Sequence, residues 1–159
     1  MDLDSASIGM LAALIILVAF SAYFSATETA FTSLNRIRLK ARADDGNLRA
    51  ARTLKLAEDY DKLLSTILIG NNIVNISASS LATSLAYHFG GYMVSIATAV
   101  LTVAILVFGE ITPKNYATLN AEKVTLRYIP FFKFFMTVMT PFIFIINLFS
   151  RVIMLIMHV

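Results

Sequence analysis

Cysteine is absent from the 159 residues. Its absence excludes disulfides, thiolate catalysis and cysteine-held zinc, and it leaves the redox compartment unreadable. Histidine occurs only as His88 and His158, near the ends of their segments. Charge is scarce too: 14% of residues are Asp, Glu, Lys or Arg, against about 25% in soluble domains. The N-terminal region carries Asp2 and Asp4 but no lysine or arginine. A secretory signal needs a basic start and a small-residue cleavage site, so the first apolar stretch is read as a retained helix.

What is present is apolar. Hydrophobic residues make up 58% of the chain, and the mean hydropathy is +0.75. These values point to an all-α integral membrane protein. One domain fits this length, with no room for both a membrane bundle and a soluble enzyme domain. The pI near 9.3 does not imply nucleic acid. The basic residues sit in loops, where they ordinarily mark the cytoplasmic side of a membrane protein, and no nucleic-acid partner is expected.

A spanning helix needs about 20 mostly apolar residues. Residues 8–31 give the first candidate, 63–89 the second and 92–112 the third, with a tight turn at Gly90-Gly91. Between the first two, residues 35–62 are polar, and their Leu and Ala spacing predicts short amphipathic helices around the turn at Asp44-Asp45-Gly46-Asn47. Asp61 is a candidate N-cap for the second span. Residues 128–159 are apolar but contain Pro130, Lys133, Pro141 and Arg151. A broken, tilted or interfacial helix fits them better than a clean span, and a fourth span stays open. Eight of the thirteen Lys and Arg lie in the 35–62 loop. The expected topology therefore puts the N-terminus outside, that loop in the cytoplasm, and the C-terminus inside if the last segment does not cross. The chain ends in an apolar run, as a natural chain can and as a membrane region excised from a longer chain would.

Polar side chains at membrane depth are costly and are functional candidates by default. Ser21, Ser25 and Glu28 fall at i, i+4 and i+7, on one helical face. The plain alternative is helix–helix packing through small residues, with Glu28 solvated or paired to Arg36 or Arg38. In the second span, Asn71, Asn72 and Asn75 follow Gly70 in an otherwise apolar helix. The plain alternative there is an interhelical hydrogen-bond network. In the third, Gly109-Glu110 precedes Pro113 by four and three residues. Proline has no N–H for the carbonyl four residues back, which is that of Gly109, and bare carbonyls at membrane depth are tolerated where they line a site. The plain alternative is a helix ending at the interface, with Glu110 solvated and paired to Lys114.

Together these groups offer one secure carboxylate, several hydroxyl and amide oxygens and a freed carbonyl. Such hard oxygen donors suit Mg²⁺, Na⁺ or Ca²⁺ and suit zinc or copper poorly. No single helix supplies enough ligands, so a site requires the three helices to converge. Catalysis is not expected: Ser21 or Ser25 with His88 lacks an orienting acid.

Three motifs in order, Phe24-Ser25-Ala26-Thr27-Glu28-Thr29-Ala30-Phe31, Ile69-Gly70-Asn71-Asn72-Ile73-Val74-Asn75 and Phe108-Gly109-Glu110-Ile111-Thr112-Pro113-Lys114, resemble the transmembrane module of the CorC/CNNM (cyclin M) magnesium transporters over nearly the whole chain. The resemblance implies a homodimeric secondary transporter exporting Mg²⁺, driven by Na⁺ entry. It implies three spanning helices per subunit, cytoplasmic short helices, a C-terminal juxtamembrane belt helix and a cytosolic CBS pair beyond this chain, so residues 1–159 would be the transport domain. By motif it assigns the metal site to Ser21, Ser25, Asn71, Asn75, the Gly109 carbonyl and Glu110. Glu28 and Asn72 are weaker candidates, Asn72 because it points about 100° from Asn71. A magnesium-sensing or anchoring domain that moves no ion is the alternative.

Overall fold

The computed structural model describes residues 5–157; Asp2, Asp4 and His158 lie outside them. Among the described residues all regular structure is helical. The first helix, α1 (Ser5–Thr32), is followed by two short helices, α2 (Arg36–Asp44) and α3 (Leu48–Glu58). Then come α4 (Tyr60–His88) and α5 (Met93–Ala104). A π-helical segment (Ile105–Ile111) joins α5 to α6 (Thr112–Leu119), and α7 (Ala121–Ile156) completes the chain.

Three of these rods are long and apolar enough to cross a bilayer: Ser5–Thr32, Met93–Leu119 and Ala121–Ile156. The expected second span is present as α4, whose 29 residues reach about 43 Å at 1.5 Å per residue. Length is therefore not what keeps it out of the apolar set. Its middle carries Asn71, Asn72, Asn75, Ser77, Ser79 and Ser80, and these dilute its hydropathy. The third span runs on past residue 112 as α6, with Pro113 in the first turn of that helix, where its fixed φ suits a helix start.

The C-terminal stretch departs from expectation more clearly. It is neither broken nor confined to residue 128 onward: α7 is one helix of 36 residues with Pro130 and Pro141 inside it. Neighbouring groups hold the backbone around the prolines. The Tyr23 hydroxyl donates to the Tyr128 carbonyl at 3.0 Å. Thr137 and Thr140 donate to the carbonyls four residues back, at 2.9 and 2.8 Å.

Local chemistry sets the short helices. Asn35 accepts from the Arg38 N–H, and Asn47 accepts from the N–H groups of Arg49 and Ala50, each supplying an acceptor for otherwise orphaned donors. Asp61 is not the cap of α4. The helix begins at Tyr60 with Asp59 ahead of it, and Asp61 falls in the first turn, because a single residue separates α3 from α4. The α4–α5 turn uses Gly90 at φ +112°, a conformation that a side chain strains.

The main core joins Phe24 and Phe31 of α1, Leu56 of α3, Leu63, Ile67 and Val74 of α4, and Ile129, Phe132 and Met136 of α7. A smaller one joins Ala26 and Ala30 of α1, Ala117 of α6 and Val124 of α7. Both lie along the C-terminal half of α1. Its N-terminal half is largely unburied by other helices, as an apolar segment facing lipid would be.

Candidate functional site

The three polar clusters come from α1, α4 and the π-helical segment, and the helices carrying them pack against α1. Ser21 and Ser25 are buried, at 0% and 1% exposure. The Ser21 hydroxyl donates to the Asn71 side-chain oxygen at 3.2 Å. Gly109 closes on the same serine: a Cβ placed on it would lie 3.0 Å from Ser21 Oγ and 3.3 Å from Ser21 Cβ. Ser21, Asn71 and Gly109 thus meet at one point, and glycine is what lets the third strand of backbone approach. Gly70, one residue before Asn71, serves α4 in the same way: a Cβ there would fall 2.7 Å from the Phe24 ring and 2.9 Å from that of Phe135.

The buried hydroxyls divide by what they bond. Thr27, Thr53, Thr66 and Thr125 each donate to the carbonyl four residues back, at 2.6–2.8 Å. Ser25 does not: its Oγ is buried with no partner, and so is the side-chain oxygen of Asn75. A buried polar atom without a partner costs about 1–3 kcal/mol, and such atoms in a native structure ask for an absent partner such as a water or an ion. Asn75 lies one helical turn beyond Asn71 on α4, as Ser25 lies one turn beyond Ser21 on α1. Asn72 is exposed, on a different face.

The backbone of the third element adds oxygens. The Thr112 N–H bonds the Val107 carbonyl, five residues back. Pro113 is next, and its missing N–H would have served Phe108 in the five-back register or Gly109 in the four-back one. Neither carbonyl receives a bond from residue 113. Sequence counting found Gly109 but not Phe108, because nothing in the residue types announces the wider register.

Glu110 follows Gly109, and its carboxylate lies 3.7 Å from the Lys114 ammonium. Lys114 is closer still to Glu28, at 3.3 Å. Glu28 therefore does not pair with Arg36 or Arg38. The reason is packing: α6 runs beside the end of α1, whereas Arg36 starts α2 and lies 5.8 Å from the centre of the Tyr60 ring. The bridging role of Lys114 escaped sequence reasoning, which had weighed it only as a partner of Glu110. Two carboxylates and one ammonium leave this end of the polar line with a net charge of −1. Among the described residues no group of three or more His, Asp or Glu gathers anywhere, so any cation here would be held mostly by neutral oxygens.

The cyclin M transmembrane N-terminal domain matches residues 12–159. A UPF0053 protein of Haemophilus influenzae is 43% identical over 89% of this chain and 34% of its own length. The UPF0053 inner membrane protein YfjD of Escherichia coli is 42% identical over 87% of this chain and 33% of its own. A polyamine export protein of E. coli is 29% identical over 82% of this chain and 32% of its own. The chain spans about a third of the length of these curated relatives. With apolar helices of spanning length and a domain match over nearly all its residues, this multi-pass membrane protein belongs to the cyclin M transmembrane domain family.

Proposed function

We propose that the chain is the transport domain of a secondary transporter that exports Mg²⁺ in exchange for Na⁺. The ion would be held by Ser21, Ser25, Asn71, Asn75, the Gly109 carbonyl and Glu110. One observation carries the reading: two buried oxygens without partners, on Ser25 and Asn75, each one helical turn along its own helix from the point where Ser21, Asn71 and Gly109 meet. Mg²⁺ gives up water reluctantly, so replacing its shell takes several fixed oxygens, and this arrangement offers hydroxyl, amide and main-chain oxygens beside a carboxylate. The π-helical segment, where the register already departs from four-back bonding, is the natural place for the site to change shape, since π-bulges frequently mark functional positions. The basic 35–62 loop supports a topology with that face in the cytoplasm and the N-terminus outside, and with the C-terminus inside if α7 does not cross. A homodimer is the working assembly on this reading.

Calorimetric titration of Mg²⁺ into the detergent-purified chain, beside Glu110→Ala, tests the site. Saturable binding that Glu110→Ala abolishes is the expected result; equal binding in both proteins sinks the assignment. Flux into proteoliposomes under a Na⁺ gradient then separates export from the rival reading of an ion-sensing or anchoring domain, which binds without moving the ion.

A second reading has its own observation. The cation now between Glu28 and Glu110 is a primary ammonium, that of Lys114, and a relative at 29% identity is a polyamine export protein. An organic polyamine would compete with Mg²⁺ in the same titration if its amines take the place of Lys114, and would leave the Mg²⁺ isotherm unmoved if the site is made for the metal.

A further inference from the structure

Away from the polar line, a recess of about 390 Å³ opens where α3, the start of α4 and α7 meet. Four cations stand around it: Arg52 and Lys55 of α3, Lys62 of α4 and Lys133 of α7. One carboxylate, Asp59, shares the wall, which leaves a net charge of +3. None of the four cations has an ion pair among the described residues, whose pairs engage Arg42 and Lys114 instead. The recess also has an apolar side, from Leu56 and Met136, both of the main core. On α7, Phe134 and Val138, which follow Lys133 and Thr137 of the recess wall, are exposed apolar side chains.

We propose that this recess is a binding site for the phosphate headgroup of an anionic phospholipid, its acyl chains lying along the exposed apolar face of α7. Charge complementarity commits the site to an anion, and basic pockets beside membrane helices hold anionic headgroups. The apolar side chains bordering it distinguish a lipid from a free phosphate, since a soluble anion gains nothing from Phe134 and Val138. Lys133 is explained by the same site. A lysine in a long apolar helix is expensive at membrane depth, and the recess it shares with Arg52, Lys55 and Lys62 sets it at the level of the polar loop, where a headgroup sits.

Native mass spectrometry of the detergent-purified chain with phosphatidylglycerol or phosphatidylcholine tests the proposal. Wild-type protein retains phosphatidylglycerol in preference. The triple variant Arg52→Gln, Lys62→Gln, Lys133→Gln loses that preference, by about fivefold for each cation removed. A control of equal charge change at exposed residues outside the recess, Arg38→Gln with Lys40→Gln and Arg49→Gln, keeps it. The conservative Lys133→Arg keeps it as well, and the helical circular dichroism of every variant is checked against wild type. Equal loss in the triple variant and the control reduces the effect to general surface charge and overturns the site. So does a wild type with no preference. Displacement of the lipid by millimolar inorganic phosphate would make it a soluble-anion site and overturn the lipid assignment. If the triple variant does not fold, Lys133→Gln alone decides: an unchanged preference overturns the proposal.

Discussion

Ser25 separates stability from function at the level of one atom. Its hydroxyl is buried and bonds nothing, so Ser25→Ala removes a desolvation cost without removing a bond. The variant is expected to melt at a temperature equal to or above wild type, reflecting a gain of up to about 1–3 kcal/mol, while losing Mg²⁺ affinity. Thermal melts followed by circular dichroism, read beside calorimetry, check both halves; a loss of stability would mean that Ser25 is structural glue. Lys114 makes the opposite test. Its ammonium occupies the space between Glu28 and Glu110, so Lys114→Met removes a competing cation, and titration should show tighter Mg²⁺ binding. Weaker binding would mean instead that Lys114 holds the carboxylates in place. The site residues were legible because Asn, Ser and Glu are conspicuous in apolar helices. Their mutual distances were not. The Glu28–Lys114 pair joins residues 86 positions apart, and only the packing of α6 along α1 creates it.

Two helix starts are fixed by capping side chains that the sequence reading did not single out. Asn35 and Asn47 each precede a short helix and accept its first N–H groups. Asn47→Ala should cost about 1 kcal/mol, seen as a lower denaturation midpoint in mixed detergent. No change would place the hold on α3 in its packing instead. Where no cap bond exists the reading failed. Asp61 looked like a cap, but Asp59 holds that position and makes no side-chain bond to the helix. Proline misled in α7 for a related reason. Residue types mark where one backbone bond is lost, yet the 36-residue helix continues because threonine hydroxyls, Tyr23 and a buried stripe including Ile129, Phe132 and Met136 hold the surrounding turns. The π-helical segment was legible only in part. Gly109 and Pro113 mark a weak stretch of backbone, but a change of register spends its extra residue invisibly to composition.

At the scale of the whole molecule, the fold closes around aromatic side chains where α1, α3, α4 and α7 meet. Phe132 is fully buried there, its ring centre 6.2 Å from that of Phe31. Phe132→Ala should cost about 3–5 kcal/mol and broaden the melt. A loss below 1 kcal/mol would show that α7 is not part of the cooperative unit. The membrane class and the all-helical architecture followed from hydropathy, because long apolar runs have few other solutions in a bilayer. Which rods are the most apolar did not follow, since α4 gives up hydropathy to carry its asparagines. The rod from Met93 to Leu119 has one further property. A segment bonded five back holds one residue more per turn than its flanks, so α5 and α6 are out of phase by about 100°, the angle of one residue. If the wide turn tightened into ordinary helix, α6 would have to rotate by that angle against α1 or pull α5 along. Ala117 is wedged against Ala26 and Ala30, so α6 resists turning. The twist would then be delivered to α5, at the other end of the rod, making Gly109 the pivot between an anchored half and a swinging half.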